Sequence, residues 1–215
     1  MNKDYLKLYL VTDSTLSLGR PIEDVVAAAV EGGVTVVQLR EKTASTLDFY
    51  NLAVRLKKLL AGTGVPLIIN DRIDIALAVD ADGVHIGQSD MPYAVARKLL
   101  GPNKIIGLSC DNDEQLVAAN GLDVDYVAVQ AYGTATKLDA DHPVGADGVA
   151  RSRALTKHPL VAIGGIHLDN AAEVYAMGAD GIAVVSEIMS AADPTKASRD
   201  LLREIDRGIA RGMGR

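Results

Sequence analysis

The chain has 215 residues, of which 48% are hydrophobic but only 4% are aromatic, and its formal net charge at pH 7 is −6. This length is ordinary for one α/β domain, and the 28 acidic residues against 22 basic ones argue against a nucleic-acid-binding surface. The single cysteine, Cys110, excludes an internal disulfide and fits a reducing compartment. Because the N-terminal residues lack an apolar signal segment and no apolar run is long enough to span a membrane, we expect a cytoplasmic protein with no membrane partner.

Apolar strand patterns alternate with amphipathic helical patterns along the whole chain. Helical patterns lie, for example, at Pro21–Glu31, Leu47–Leu60 and Asp169–Met177. The eight candidate strands, in chain order, are Lys7–Thr12, Val34–Leu39, Pro66–Asn70, Gly83–Ile86, Lys104–Leu108, Asp125–Gln130, Leu160–Gly164 and Gly181–Val185.

This alternation predicts a parallel sheet that is covered on both faces. Eight strand–helix units fit into 215 residues, and a core of small branched side chains suits the layered interior of a barrel. We therefore predict a single (β/α)8 TIM barrel domain with eight parallel strands over residues 1–215. A doubly wound open sheet is the alternative, but it usually carries a glycine-rich fingerprint after its first strand, which here ends Val11-Thr12-Asp13.

The second strand ends in a run of polar and charged residues, Gln38-Leu39-Arg40-Glu41-Lys42. In a barrel of this kind the functional groups lie at the C-terminal ends of the strands. Since side chains alternate along a strand, Gln38, Arg40 and Lys42 are expected to share one face. We interpret this face as a clamp for an anion such as phosphate, with a solvated charged loop as the alternative.

Two aspartates follow the third and fourth strands and predict a metal site. Asp71 comes directly after Asn70, and Asp90 follows Gln88 at the next strand end. One or two carboxylates, completed by substrate phosphates and water, typically bind Mg²⁺. The alternative is that each aspartate caps the helix that follows it. His85 lies inside the fourth strand, where we expect a hydrogen-bonded core residue rather than a metal ligand.

The remaining strand ends carry hydroxyls, a cation and glycines. Ser109 ends the fifth strand, and Thr134-Ala135-Thr136-Lys137 follows the sixth. Gly165 follows the seventh strand, and Val185-Ser186 ends the eighth before a short helical turn at Glu187–Ser190. Barrels often bind phosphate in the loops after strands seven and eight together with a short extra helix. The sequence thus predicts a second anion site opposite the first.

These segments together resemble the thiamine-phosphate synthase family along nearly the whole barrel. Each fragment alone is weak evidence, but their joint order and spacing are specific. The matching pieces are Tyr9-Leu10-Val11-Thr12-Asp13, Gln38-Leu39-Arg40-Glu41-Lys42, Asn70-Asp71-Arg72, His85-Ile86-Gly87-Gln88-Ser89-Asp90, Thr134-Ala135-Thr136-Lys137, Ile163-Gly164-Gly165-Ile166 and Val184-Val185-Ser186.

The resemblance implies a transferase that joins hydroxymethylpyrimidine pyrophosphate to a (carboxy)hydroxyethylthiazole phosphate through a pyrimidine cation. It implies small-molecule substrates, with the pyrimidine pyrophosphate held by residues of the Gln38–Lys42 run together with Asn70, Ser109 and Lys137. Among these residues, Arg40, Lys42, Ser109 and Lys137 would be catalytic. Asp71 and Asp90 would bind the cofactor, Mg²⁺. The thiazole phosphate would be held by Thr134, Ala135, Thr136, Gly165, Val185 and Ser186.

Three other functions stay open at this stage, as does the question of a homo-oligomer. A related thiazole tautomerase on the same barrel uses a histidine shortly after the fifth strand, whereas this chain has Ser109-Cys110-Asp111-Asn112 there. A non-catalytic binder of thiamine phosphate and a sugar-phosphate epimerase are the other two. The run Val129-Gln130-Ala131-Tyr132-Gly133 also lacks the prolines that the family usually shows before its Thr-x-Thr-Lys segment.

Overall fold

The computed structural model describes residues 3–133 and 145–212 of the chain. Within them, eight strands pair in parallel in chain order, and the last strand pairs with the first, so that the sheet closes into a barrel. The predicted eight-stranded parallel barrel is therefore confirmed. The strands are β1 Leu8–Val11, β2 Val36–Leu39, β3 Leu67–Asn70, β4 Gly83–Ile86, β5 Ile105–Ser109, β6 Tyr126–Gln130, β7 Leu160–Ile163 and β8 Gly181–Val184.

Helices follow the strands and cover the outside of the barrel. None of the helices in the two described segments is long and apolar enough to cross a membrane. A short 3₁₀ turn at Lys3–Leu6 precedes β1. The helices are α1 Ile22–Glu31, α2 Thr46–Leu60, α3 Ile73–Ala78, α4 Tyr93–Leu100, α5 Asp113–Ala119, α6 Gly145–Leu155, α7 Ala171–Ala176, α8 Ser186–Met189 and α9 Pro194–Gly212.

The strands divide their side chains between two apolar layers. On β1, Leu8 and Leu10 belong to the large cluster between the barrel and the helices, whereas Tyr9 and Val11 belong to a smaller cluster inside the barrel. The same alternation continues around the sheet, as a pleated strand requires. Helix α8 begins one residue before the predicted turn and follows β8 directly, so it lies at the C-terminal rim.

The interior of the barrel accommodates a large aromatic side chain because its neighbour is glycine. Gly107 on β5 is directly opposite Tyr126 on β6, which is fully buried. A methyl group added at position 107 would overlap the hydroxyl end of the Tyr126 ring. Gly107 thus provides the space that places the Tyr126 hydroxyl inside the barrel, beneath the rim.

We expect Gly107→Ala to lower the free energy of unfolding by about 1–3 kcal/mol, because an added methyl group in a packed interior forces its neighbours to move. Gly121→Ala is the matched control, since a methyl group there meets only the Ala118 carbonyl oxygen at an ordinary 3.5 Å. Urea unfolding of both variants measures the difference. Equal stability of the two variants would contradict this account of the Gly107–Tyr126 contact.

Candidate active site

The end of β2 brings an amide and a guanidinium to the rim of the barrel. Gln38 points inward and is only 4% exposed, and its Nε2 donates to the Tyr9 hydroxyl at 2.8 Å. Leu39 points outward into the core between barrel and helices. Arg40 lies just beyond the strand, where its backbone N–H donates to the Thr12 hydroxyl at 3.1 Å. Its guanidinium contacts the Asp13 carboxylate at 3.4 Å.

Glu41 contributes a carboxylate oxygen that has no hydrogen-bond partner within the described residues. Its Oε2 accepts from the Ser14 hydroxyl at 3.2 Å, while Oε1 is buried without a partner in the two described segments. Burial raises the pKa of Glu41, and nearby Asp13 adds to this effect. A buried acceptor of this kind is typically satisfied by a ligand or by water. Glu41 therefore fits the predicted substrate contact.

Lys42 and Asp71 form an ion pair between the loops that follow β2 and β3, with Nζ 2.5 Å from Oδ2. The Asn70 side chain donates to the other carboxylate oxygen of Asp71 at 2.7 Å. Asp71 has a left-handed backbone conformation with φ of 60°, which is uncommon for a residue other than glycine. This conformation and these two contacts fix the direction of its carboxylate.

The carboxylates of Asp71 and Asp90 lie close together. Burial, together with the proximity of Asp90, raises the pKa of Asp71 despite the opposing effect of Lys42. Asp90 accepts a hydrogen bond from the Gly87 backbone N–H at 2.7 Å. Two adjacent carboxylates repel each other, so the pair favours a bound cation.

Neither aspartate caps the helix that follows it. Helix α3 begins after Arg72 and α4 begins after Pro92, and neither of these residues makes a side-chain capping bond. The alternative interpretation of Asp71 and Asp90 as helix caps is therefore wrong. No group of three or more His, Cys, Asp or Glu side chains suited to a metal occurs in the part of the chain that the structure describes. A pair of carboxylates is a donor set that fits Mg²⁺, which commonly takes its remaining ligands from substrate phosphates and water.

Ser109 ends β5 and faces His85 of β4. The His85 ring Nε2 lies 2.9 Å from the Ser109 hydroxyl, and its Nδ1 lies 3.0 Å from the Tyr126 hydroxyl. The prediction that His85 is a hydrogen-bonded interior residue is confirmed. The Gln88 side-chain amide donates to the Ser109 carbonyl oxygen at 2.5 Å, which joins the two strand ends.

The loops after β6 and β7 are joined by backbone hydrogen bonds. Ala131 N–H donates to the Ile163 carbonyl at 2.8 Å, and Tyr132 N–H donates to the Gly164 carbonyl at 3.1 Å. Gly165 has φ of 58°, and a Cβ there would lie 2.7 Å from the Tyr132 Cβ. Glycine is therefore required where these loops meet. The predicted site residues Thr134, Ala135, Thr136 and Lys137 lie outside the described residues.

Helix α8 places Val185 and Ser186 at the same rim as Gly165. Val185 precedes the helix and Ser186 begins it. Arg20, in the loop after β1, donates to the carbonyl oxygens of Met189 at 2.5 Å and Ala191 at 2.7 Å. A cation at the C-terminal end of a helix is favourable, so Arg20 fastens α8 at its far end.

The sequence patterns predict that Gln38, Asp71 and Ser109 lie at one rim. They do not identify the residues that contact and orient these side chains. Tyr9 and Asp13 belong to a segment that matches the family pattern, but the pattern assigns them no role. The sequence predicts Tyr126 only as part of the sixth strand. A tyrosine at an inward strand position, in a chain with 4% aromatic residues, was the one signal that could have identified Tyr9 and Tyr126.

Comparisons with known proteins identify the family that this chain is similar to. The family model described as "Thiamine monophosphate synthase" matches residues 8–188. The thiamine-phosphate synthase of Albidiferax ferrireducens is 54% identical over 202 residues, covering 94% of this chain and 92% of that protein. That of Vibrio parahaemolyticus is 50% identical over 201 residues, covering 93% and 98% of the two chains.

A solved structure extends the similarity to three dimensions. The thiamine phosphate pyrophosphorylase from Pyrococcus furiosus is 39% identical and superimposes with a TM-score of 0.88, covering 96% of this chain and 98% of that one. The sequence match covers almost the whole barrel, including the strand ends that carry Gln38, Asp71, Asp90 and Ser109. This chain belongs to the thiamine monophosphate synthase family.

Proposed function

We propose that this protein condenses hydroxymethylpyrimidine pyrophosphate with (carboxy)hydroxyethylthiazole phosphate, giving thiamine phosphate and pyrophosphate. One observation carries the proposal from the family to this chain. Two cations that follow β2, Arg40 and Lys42, each contact a carboxylate in a neighbouring loop at the C-terminal rim, Asp13 and Asp71 respectively. These cations can exchange their carboxylate partners for the oxygens of a pyrophosphate.

The pyrophosphate half of the proposed site combines Arg40, Lys42 and the Asp71–Asp90 carboxylate pair, with Asn70 beside it. The carboxylates alone would repel pyrophosphate, and the chain carries a net charge of −6. Mg²⁺ held by Asp71 and Asp90 would neutralise negative charge on the phosphates. The cations then act locally on an anionic substrate that the overall charge of the protein does not attract.

The proposed reaction breaks the bond between the pyrimidine methylene carbon and the pyrophosphate oxygen, and the bonding electrons leave with pyrophosphate. Arg40 and Lys42, with Lys137, stabilise the negative charge that develops on the departing oxygens. The aminopyrimidine ring shares the positive charge left on its methylene carbon. The thiazole nitrogen, held alongside, then forms the new bond, so positioning contributes much of the acceleration.

The rest of the proposed site holds the pyrimidine ring and the thiazole phosphate. Gln38 is buried inside the barrel and Ser109 ends β5 beside His85, which suits contact with the pyrimidine ring, and the buried Glu41 oxygen offers a further acceptor. Gly165, Val185 and Ser186 suit the thiazole phosphate, because glycine and the first turn of a helix expose backbone N–H groups. The family pattern assigns Thr134, Ala135 and Thr136 to the thiazole phosphate and Lys137 to the pyrophosphate.

Pyrophosphate release tests the proposal directly. The purified protein is incubated with Mg²⁺ and with either substrate alone or both together. The proposal requires release only when both substrates are present, together with formation of thiamine phosphate. Binding of thiamine phosphate without turnover would favour a non-catalytic binder, and isomerisation of the thiazole without release would favour a tautomerase.

We expect Asp71→Asn and Asp90→Asn to raise the Mg²⁺ concentration needed for half-maximal activity and to lower turnover, because each removes one anionic ligand. Asp74→Asn is the matched control, since Asp74 is an exposed carboxylate three residues from Asp71 that pairs with Arg72. Titration of Mg²⁺ into chelator-treated protein gives the measurement. Full activity of the wild type in excess chelator would contradict the metal assignment.

Arg40→Ala is expected to lower kcat by roughly 10²–10³-fold, which corresponds to the loss of one preorganised charge-stabilising contact. Arg55→Ala, which removes an exposed arginine paired with Glu23 on the outer helices, should leave kcat unchanged. Steady-state kinetics with both substrates distinguish the roles. If Arg40→Ala changes only the KM for the pyrimidine substrate, Arg40 positions the substrate and does not stabilise the departing charge.

Cys110 is expected to take no part in the chemistry. Its thiol is buried, and burial with nearby Asp111 raises its pKa to about 12, so the thiolate fraction at pH 8 is on the order of 10⁻⁴. Iodoacetamide should label the folded protein slowly and the unfolded protein quickly, and Cys110→Ala should retain activity. Rapid labelling of the folded protein would show that this description of Cys110 is wrong.

A further inference from the structure

A continuous chain of hydrogen bonds crosses the inside of the barrel from Gln38 to Ser109. Gln38 Nε2 donates to the Tyr9 hydroxyl at 2.8 Å, and the Tyr9 and Tyr126 hydroxyls lie 2.7 Å apart. The Tyr126 hydroxyl is 3.0 Å from His85 Nδ1, and His85 Nε2 is 2.9 Å from the Ser109 hydroxyl. We call these five residues the interior chain. Its two ends are the residues assigned to the pyrimidine ring.

The rings in the middle of the interior chain pack against one another. Tyr9 is 1% exposed and Tyr126 is fully buried, and their rings meet edge to face with centroids 5.9 Å apart. The His85 ring stacks on Tyr126 with an interplanar angle of 24°. Burial raises the pKa of both tyrosines well above the usual value, so each hydroxyl keeps its single proton.

Because each hydroxyl has one proton, the direction of one hydrogen bond sets the next. The Gln38 side-chain nitrogen can only donate, so the Tyr9 oxygen accepts and the Tyr9 proton points to Tyr126. Tyr126 then donates to His85 Nδ1, which requires a neutral ring with its proton on Nε2. His85 donates in turn to the Ser109 oxygen, and the Ser109 proton remains for a ligand.

The opposite direction is also self-consistent, but it requires two changes together. The Gln38 amide would have to turn over, and the His85 proton would have to move from Nε2 to Nδ1. The two ends therefore cannot change independently. With Gln38 Nε2 directed at Tyr9, the chain presents an acceptor at one end, Gln38 Oε1, and a donor at the other, the Ser109 hydroxyl.

We propose that Tyr9, Tyr126 and His85 are positioning residues that set this donor–acceptor pattern for the aminopyrimidine ring. The inference rests on the proposed function and deepens it. An aminopyrimidine carries an exocyclic amino group, which donates, beside a ring nitrogen, which accepts. That edge complements the Gln38 carbonyl oxygen and the Ser109 hydroxyl.

Burying the polar side chains of the interior chain is unfavourable unless each finds a hydrogen-bond partner. A purely structural role does not explain why polar side chains occupy these positions. Inward positions of such barrels are usually filled by branched aliphatic side chains, and those need no hydrogen-bond partners. Here five polar side chains satisfy one another over a path that begins and ends at the proposed substrate. Because its inner groups are all hydrogen-bonded to one another, such a network couples the orientations of its members.

The direct test is the protonation site of His85 in the wild-type protein, read from the ¹⁵N chemical shifts of its ring. The proposed direction of the interior chain predicts a neutral His85 ring with the proton on Nε2. A proton on Nδ1, or a doubly protonated ring, would overturn the proposed direction. This measurement needs no substrate, so its result is independent of whether the protein condenses the two substrates.

A kinetic test uses Tyr126→Phe and Tyr9→Phe, which keep the rings but remove a hydroxyl of the interior chain. Each should raise the KM for the pyrimidine pyrophosphate about tenfold, the effect of a lost hydrogen bond on substrate binding, and leave the KM for the thiazole phosphate unchanged. Tyr175→Phe is the matched control, because it removes a tyrosine hydroxyl on α7, outside the barrel, that donates to the Asp180 carbonyl oxygen at 2.8 Å.

Three results separate the possibilities. A selective rise in the pyrimidine KM with the proton on Nε2 supports the interior chain. Equal changes in both KM values, or changes matched by Tyr175→Phe, would assign the tyrosines to packing alone and overturn the proposal. Absence of pyrophosphate release by the wild type would reject the proposed function, while the His85 protonation site would still decide the direction of the chain.

Discussion

The hydrogen bonds between β1 and β8 close the sheet, and the arrangement of the site depends on that closure. They bring Leu8–Val11 beside Gly181–Val184 and so carry the two ends of the barrel sequence to one rim. Contacts across the closed barrel follow from it. The Tyr9 and Tyr126 hydroxyls meet although 117 residues separate them in sequence, and Arg20 reaches the end of α8 across 169 residues or more. In an open sheet, β1 and β8 would be separate edges and these contacts would be lost.

The rim carries cations that are already paired with acids. Asp13 holds Arg40 and Asp71 holds Lys42, so neither cation is left without an opposite charge before an anionic substrate arrives. Partly exposed pairs of this kind contribute little to stability, which leaves them free to exchange partners. Under the proposed function, a pyrophosphate that takes over the cations would leave the Asp71 carboxylate to a metal ion. The pairing would then position the cations before the substrate arrives.

The fold and much of the rim were predictable because both depend on local patterns. Apolar strands alternating with helices predict the barrel, and polar residues after the strands predict that Gln38, Asp71, Asp90 and Ser109 meet. The partners were not predictable, since they depend on the register between strands distant in sequence. Examples are the Tyr9–Tyr126 contact and the Asp13–Arg40 pair. The positive φ of Asp71 was not predictable either, because a residue other than glycine seldom adopts it. The assigned roles of the site residues remain proposals, including those of Thr134, Ala135, Thr136 and Lys137.

A crystal structure of the protein with Mg²⁺, pyrophosphate and thiamine phosphate would test the central claim most directly, namely that the paired groups at the rim exchange their partners for the reactants. The account predicts a metal ion between Asp71 and Asp90, with Arg40 and Lys42 moved from their carboxylates onto phosphate oxygens. It also predicts the pyrimidine edge on Gln38 and Ser109. Pyrophosphate bound elsewhere, with the Arg40–Asp13 and Lys42–Asp71 pairs intact, would contradict it.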